Sequence, residues 1–215
     1  MKNKLVQDRG TFIEQFVVGK EVLDAGCTEL LGTTTDKGKA ERWIHEKIRK
    51  VAKEVVGVDI NKTEVEALKA RGYNIICGDV EEVDIGRKFD VIVAGELMEH
   101  LSNPGLFLEN MKRHLNEDGV LILTTPNRFH FYSFLKAFIT GQNPVYNKPI
   151  AAHVHYYDIN SLKALIIRHG YQVVDHCFYS EAFPTFKSKL LLKSIQKLRP
   201  NFAQGIIMVL QKTAI

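Results

Sequence analysis

The stretch VLDAGCTELLG, residues 22–32, decides how the rest of the chain is read. It opens as an apolar strand, turns at Asp24-Ala25-Gly26 and continues as Cys27-Thr28-Glu29-Leu30. A glycine directly after a buried strand tolerates a positive φ and lets the backbone approach a ligand closely. Loops that hold nucleotide cofactors usually repeat that glycine, and here the second and third are absent. Pyrophosphate needs the full set, because its charges are met by backbone N–H groups at a helix N-terminus. The loss therefore weighs against a nicotinamide dinucleotide and less against a cofactor without phosphates.

Outward from this loop, short apolar runs alternate with amphipathic stretches, the pattern of a parallel sheet covered on both faces. KEVLDAG, EVVGVDI, YNIICGD, KFDVIVAG and GVLILTTP are β-branched or aliphatic runs ending in glycine, aspartate or proline, as buried parallel strands do. Asn61 is placed to cap a helix over NKTEVEALKARG, with Glu64 in the capping-box position and Gly72 closing it. A helix is also expected through AERWIHEKIRKVAK, with Trp43, Ile44, Ile48 and Val51 on one face, and another through NPGLFLENMKRHL. After Pro126 the alternation stops. Residues 127–155 are aromatic-rich, contain two prolines and read as an inserted, lid-like segment. DINSLKALIIRHGYQVVDHCF restores a capped helix and a strand, and AQGIIMVLQK reads as a last strand running antiparallel. The expectation is one α/β domain over residues 1–215: a Rossmann-like, seven-stranded, mostly parallel sheet with helices on both faces.

Composition agrees with one domain, since 215 residues with 45% hydrophobic content suffice for a single core. No run approaches the roughly 18 apolar residues of a membrane span, and MKNKLVQDRG lacks the apolar centre of a secretion signal, so a cytoplasmic protein is expected. Cys27, Cys77 and Cys177 are far apart and show no zinc-binding spacing, which fits reduced thiols. The net charge of +4 is uneven, with a basic TFKSKLLLKSIQKLRP and an acidic GDVEEVD; it permits a nucleic-acid partner without requiring one. The sequence is silent on oligomeric state.

An open α/β sheet binds its ligand beyond the carboxyl ends of its strands. Those ends read Asp24-Ala25-Gly26-Cys27, Asp59, Gly78-Asp79-Val80 and AGELMEHL. Asp59 is placed to accept both hydrogen bonds of a ribose diol, or else to be a solvated aspartate leading into the Asn61 cap; Asp79 is placed to meet an adenine amino group. The ordered series VLDAGC, VVGVDI, GDVEEV, FDVIVAGELMEHL, NEDGVLILTTPN and HVHYYDINSLKALIIRHGY resembles the class I S-adenosylmethionine-dependent methyltransferases, over roughly residues 5–180. The closest likeness is to the broad group whose fourth block reads like EVLEHL. The resemblance implies S-adenosylmethionine as cofactor. It runs the loop of Asp24, Gly26 and Cys27 under the methionine part; Thr28, where a glycine is missing, is tolerable beside a cofactor without phosphates, with its hydroxyl expected toward the cofactor. It also puts the ribose on Asp59 beside Ile60, lines the adenine pocket with Gly78, Asp79 and Val80, brings Gly95 to the cofactor, and pairs Arg9 with the cofactor carboxylate. The first crossover is longer than the family norm by about a dozen residues, a length such connections accept. Its W-I-H sequence resembles a subgroup, and Trp43 and His45 either touch the site or pack on the sheet.

Methyl transfer from a sulfonium asks first for positioning and exclusion of water. For a hydroxyl acceptor, GELMEHL offers Glu96, Glu99 and His100, which would share one face at helical spacing, and His100 is the first choice of general base. The E-x-x-E-H pattern followed by TTPN and a later histidine also resembles the small-RNA 3′-terminal 2′-O-methyltransferases. That likeness implies a magnesium or manganese site of Glu96, Glu99, His100 and His153, with His155 as the alternative fourth ligand. The plainer alternative has His100 packing on the cofactor with no ion. Phe129, Phe131, Tyr132, Phe134 and Phe138 either form an apolar lid over an amphiphilic acceptor or make a private core. Residues 185–200, with Leu190, Leu191, Ile195 and Leu198 on one side, either contact a membrane surface or pack on their own domain. The leading expectation is O-methylation of a small-molecule, quinone-like or glycan acceptor. Its rivals are metal-dependent methylation of an RNA 3′ end and a methyltransferase-like binding module without turnover.

Overall fold

The computed structural model describes residues 4–28, 43–141, 153–180 and 194–213. Its strands are β1 (Lys4–Val6), β2 (Glu21–Ala25), β3 (Glu54–Asp59), β4 (Ile75–Cys77), β5 (Phe89–Gly95), β6 (Leu115–Pro126), β7 (Tyr171–Tyr179) and β8 (Gly205–Lys212). The helices are α1 (Arg9–Val17), α2 (Ile44–Val51), α3 (Lys62–Ala70), α4 (Pro104–Arg113), α5 (Phe131–Thr140) and α6 (Ile159–Arg168). All eight strands join one sheet in the order β1-β7-β8-β6-β5-β2-β3-β4. β8 runs antiparallel between β6 and β7, and every other pairing is parallel.

The expected seven strands are all present, and the eighth is β1, a three-residue edge strand paired with β7. So short a run has no periodicity to announce it. Its register, Leu5 opposite Phe178, comes from the sheet it joins.

Strand alternation sends side chains to two cores. Leu23, Ile92, Leu121 and Met208 pack with Phe107, Leu108 and Met111 of α4 and Leu162 and Ile166 of α6. Val22, Val91, Val93 and Ile207 face the other way, onto Phe12 and Ile13 of α1 and Ile44 and Ile48 of α2. Because both faces are covered, the central strands have no polar side to show, which is why their sequences read as continuous apolar runs. The predicted helix punctuation holds: the Asn61 side chain accepts from Glu64 N at the start of α3, and Asp158 and Ser161 close a capping box on α6.

The thiols differ in access. Cys77 is exposed at the end of β4, whereas Cys27 and Cys177 are buried. Burial, reinforced by nearby Asp175, pushes the Cys177 thiol up to about 12. In the native protein Ellman's reagent is expected to titrate one thiol rapidly, with the other two appearing only in denaturant; two fast thiols would contradict this burial.

Candidate active site

β2 lies between β3 and β5, so consecutive crossovers leave it in opposite directions and open a crevice at its carboxyl end. Gly26 sits there with φ of +73°, and a Cβ on it would come 2.7 Å from Leu97 Cδ1. Only glycine satisfies both the left-handed backbone and the close approach. Its N–H donates to Val58 O at 2.8 Å, fixing the turn to β3.

Two groups of the W-I-H sequence hold this loop from behind. Trp43, 2% exposed, donates from Nε1 to Cys27 O at 2.6 Å. His45, fully buried, has Nδ1 2.9 Å from Asp24 Oδ2. Asp24 is thereby committed to holding the loop, and α2 acts as the clamp on the β2 turn that more glycines would otherwise shape.

Asp59 ends β3 and carries three protein hydrogen bonds. Oδ2 accepts from Thr28 N and Thr28 Oγ1, both at 3.0 Å, and Oδ1 accepts from Asn61 N at 2.9 Å. The expectation that the Thr28 hydroxyl turns to the cofactor is corrected: it turns to Asp59. A carboxylate offers about four acceptor positions, so one remains open here and a second opens when the Thr28 hydroxyl rotates away. The same crevice contains a cavity of about 160 Å³ lined by Gly26, Asp59, Ile60, Asp79, Val80, Glu81, Leu97, His100, Leu101 and Ser102. Buried Val80 and Leu101 give it apolar walls, and exposed Asp79, whose Oδ1 accepts from Glu81 N at 2.9 Å, stands at its rim. Gly78 precedes that turn with its N–H on Asp59 O. An apolar slot for a base beside a carboxylate for a diol fits the chemistry of an adenosyl group.

The GELMEHL segment differs from its expectation. It does not continue as a helix: residues after Gly95 turn, and Glu96 takes a left-handed φ of +52°, a strained conformation for a non-glycine residue. That reversal separates Glu96 from Glu99 and His100. Glu96 Oε1 accepts from Thr124 Oγ1 at 3.0 Å and from the Tyr179 hydroxyl at 2.5 Å, and lies 3.6 Å from Arg9 Nη1. Arg9 also donates to Thr124 Oγ1 at 3.3 Å, so its guanidinium stands beside Gly95 at the end of β5 but already faces a carboxylate of the protein. These bonds offset the backbone strain at Glu96.

On the other side, Glu99 is 2% exposed and its Oε2 accepts from Thr125 Oγ1 at 3.0 Å. Burial, with a smaller contribution from the charge of Glu96, pushes its carboxyl up to about 8. His100 Nε2 is 4.0 Å from Glu99 Oε1, and its imidazole meets that of His153 edge to face, with centroids 4.5 Å apart. Burial, then proximity to His100, lowers the pKa of His153 and favours its neutral form. Glu99, His100 and His153 bring one donor atom each within 4.8 Å of one another. The four-donor set implied by the resemblance does not assemble, because Glu96 is bound elsewhere. His155 is also apart, its ring stacked on Tyr157 and lining a separate cavity with Asn103, Leu106, Glu109 and His169.

Thr124, Thr125 and Tyr179 were not picked out from sequence, and His45 was named there without its partner Asp24. The threonines stood in the quoted TTPN block, and only the partner carboxylates reveal their use. Tyr179 depends on Gly205 across the β7–β8 ladder, where a Cβ would overlap the tyrosine ring. Gly205→Ala is expected to destabilise the protein by about 1–3 kcal/mol. The same change should displace the Tyr179 hydroxyl from Glu96, read as a lowered melting temperature and a changed tyrosine fluorescence.

An open α/β sheet with a ligand crevice at its switch point is the architecture of the class I S-adenosylmethionine-dependent methyltransferases. The chain belongs to the methyltransferase-domain family, whose profile matches residues 2–176. It is 28% identical over 130 residues to a ubiquinone biosynthesis O-methyltransferase of Bradyrhizobium diazoefficiens, covering 58% of this chain and 46% of that one. The chain spans about half the length of the curated relatives it matches. In structure it is similar to a protein of Bacillus halodurans described as a putative methyltransferase, with TM-score 0.63 at 15% identity over 96% of this chain and 98% of the other. It also resembles the N-methyltransferase NodS of Bradyrhizobium japonicum in complex with S-adenosylhomocysteine, with TM-score 0.60 at 12% identity over 96% and 86% of the two chains. At such identities these structures establish the fold. S-adenosylmethionine is the cofactor of the family, and the described crevice fits it. No helix among the described residues is long and apolar enough to cross a membrane.

Proposed function

We propose that the protein methylates a hydroxyl group of a small, largely apolar acceptor, with His100 as general base. The observation carrying this reading is the position of His100: its side chain, 39% exposed, lines the cofactor cavity while its ring touches His153 and faces buried Glu99. Gly26, Asp59 and Val80 would hold the cofactor from the loop, ribose and adenine sides. Bound S-adenosylmethionine supplies an electrophilic methyl group on a sulfonium. The residues then have two tasks, to align the acceptor oxygen with that methyl and to take its proton. His100 is the one partly open imidazole at the cavity. Glu99 is the buried group behind it, and His153 braces the ring from the edge. Relatives named ubiquinone biosynthesis O-methyltransferases support a small hydroxylated acceptor.

Formation of S-adenosylhomocysteine with catechols and quinols, compared with hexose glycosides, primary amines and a single-stranded RNA bearing a free 3′ end, tests this reading. Turnover confined to the amines or the RNA would overturn it. A second reading, favoured by the convergence of Glu99, His100 and His153, places a divalent cation on those three donors to acidify the acceptor hydroxyl. Activity that survives exhaustive chelation would discard it.

A further inference from the structure

We infer that α5, together with residues 194–202, is a docking face for an anionic phospholipid surface. α5 has no buried residue along its length. Tyr132, Leu135, Phe138 and Ile139 are 57, 40, 80 and 71% exposed, and their spacing sets them along one side of the helix. A helix that buried these residues inside the domain would read the same in sequence, and the structure shows that it does not.

The ridge continues onto a second element. Phe202 packs against Phe131 and Phe134, with centroids 5.8 and 6.1 Å apart, and so joins α5 to the helical turn at 194–198, where Leu198 is 82% exposed. Thus, among the described residues, Phe129, Tyr132, Phe134 and Phe138 are exposed and form no private core, and none of them lines the cofactor slot. Of residues 185–200, those at 185–193 lie outside the described residues.

Charge selects the occupant. Residues 127–157 and 182–215 contain no aspartate or glutamate, in a chain that has 25. Lys136 lies within the ridge, and Lys197 and Arg199 are exposed beside Leu198. Arg128, at the start, is close enough to Asp158 to favour the charged form of that carboxyl. Aromatic and aliphatic tips flanked by lysine and arginine, with carboxylates excluded, match the boundary between anionic headgroups and acyl chains. A protein partner of ordinary composition would place no such ban on acidic residues.

The location gives the contact a use. β6 ends at Pro126, one residue after Thr125, which bonds Glu99, and Asn127 bridges Tyr157 before the chain enters α5. Docking through α5 would bring the mouth of the site to the bilayer, where an apolar acceptor accumulates. That last step rests on the proposed acceptor class; the lipid contact itself does not.

Flotation of the full chain with phosphatidylcholine vesicles, with and without phosphatidylglycerol, tests the inference. The wild type is expected to float with the anionic vesicles and to be released by high salt. Phe138→Ser combined with Ile139→Ser, and separately Lys136→Glu combined with Arg199→Glu, should each weaken partitioning at least about tenfold. S-adenosylhomocysteine affinity should be unchanged in both, showing an intact fold and site. Failure of the wild type to float, or flotation of either variant equal to that of the wild type, would overturn the lipid face. So would loss, in the Phe138→Ser and Ile139→Ser variant, of a self-association that the wild type shows without vesicles, because the ridge would then be an interface between copies. Acceptor turnover in detergent is read separately, so a failed acceptor assignment and a failed docking face give different results.

Discussion

Replacing His100 with alanine is expected to lower kcat by about 10²–10⁴-fold, the usual contribution of a positioned general base. His100 is the one imidazole among the described side chains lining the cofactor cavity, and it is open enough to meet an acceptor. S-adenosylhomocysteine affinity should fall by no more than a few-fold, since the ring supplies only part of one wall. His100→Gln keeps most of the volume and removes the base, so it should resemble alanine in kcat. A variant that retains wild-type kcat would remove His100 from the chemistry. One that loses cofactor binding and turnover together would make it a wall residue.

The second large effect is on binding. Asp59→Ala should weaken affinity for S-adenosylhomocysteine by about ten- to a hundredfold, because hydrogen bonds to a charged group contribute about 1.5–3 kcal/mol. Two losses combine here: the acceptor for the ribose hydroxyls, and the anchor that holds Thr28 and Asn61 N through three hydrogen bonds. Thr28→Val separates them. It removes only the hydroxyl that competes with ribose for Oδ2, so it should not weaken binding. Calorimetry on the two variants decides between these roles, and unchanged affinity in Asp59→Ala would place the ribose elsewhere.

The sequence carried the architecture because the central strands are buried on both faces and therefore written as unbroken apolar runs, each stopped by a glycine, aspartate or proline. Asn61 and Asp158 announced helix starts through local hydrogen bonding, which a short window of sequence can show. β1 was not legible, since its pairing is dictated by β7, far along the chain. Gly26, Asp59 and Val80, which line one crevice, stood at strand ends in the sequence, and the family resemblance added their expected roles. The face of Glu96 was not legible, because helical spacing was assumed where a left-handed residue reverses the chain, and the compensating contacts come from Arg9, Thr124 and Tyr179 on three other elements. In the same way, the missing glycines of residues 28–30 are offset at the start of the loop by Trp43 and His45, whose bonds to Cys27 and Asp24 span a crossover that no local pattern bridges. The exposure of α5 was equally hidden, since an amphipathic helix reads alike whether its apolar side meets protein or lipid.

The most direct measurement is a crystal structure with S-adenosylhomocysteine bound. The adenine is expected between Val80 and Leu101, the ribose hydroxyls on Asp59 with the Thr28 hydroxyl rotated away, and the sulfur over Gly26 with its open side toward His100. A ligand bound with its sulfur turned away from His100, or held outside the Gly26 crevice altogether, would contradict this placement.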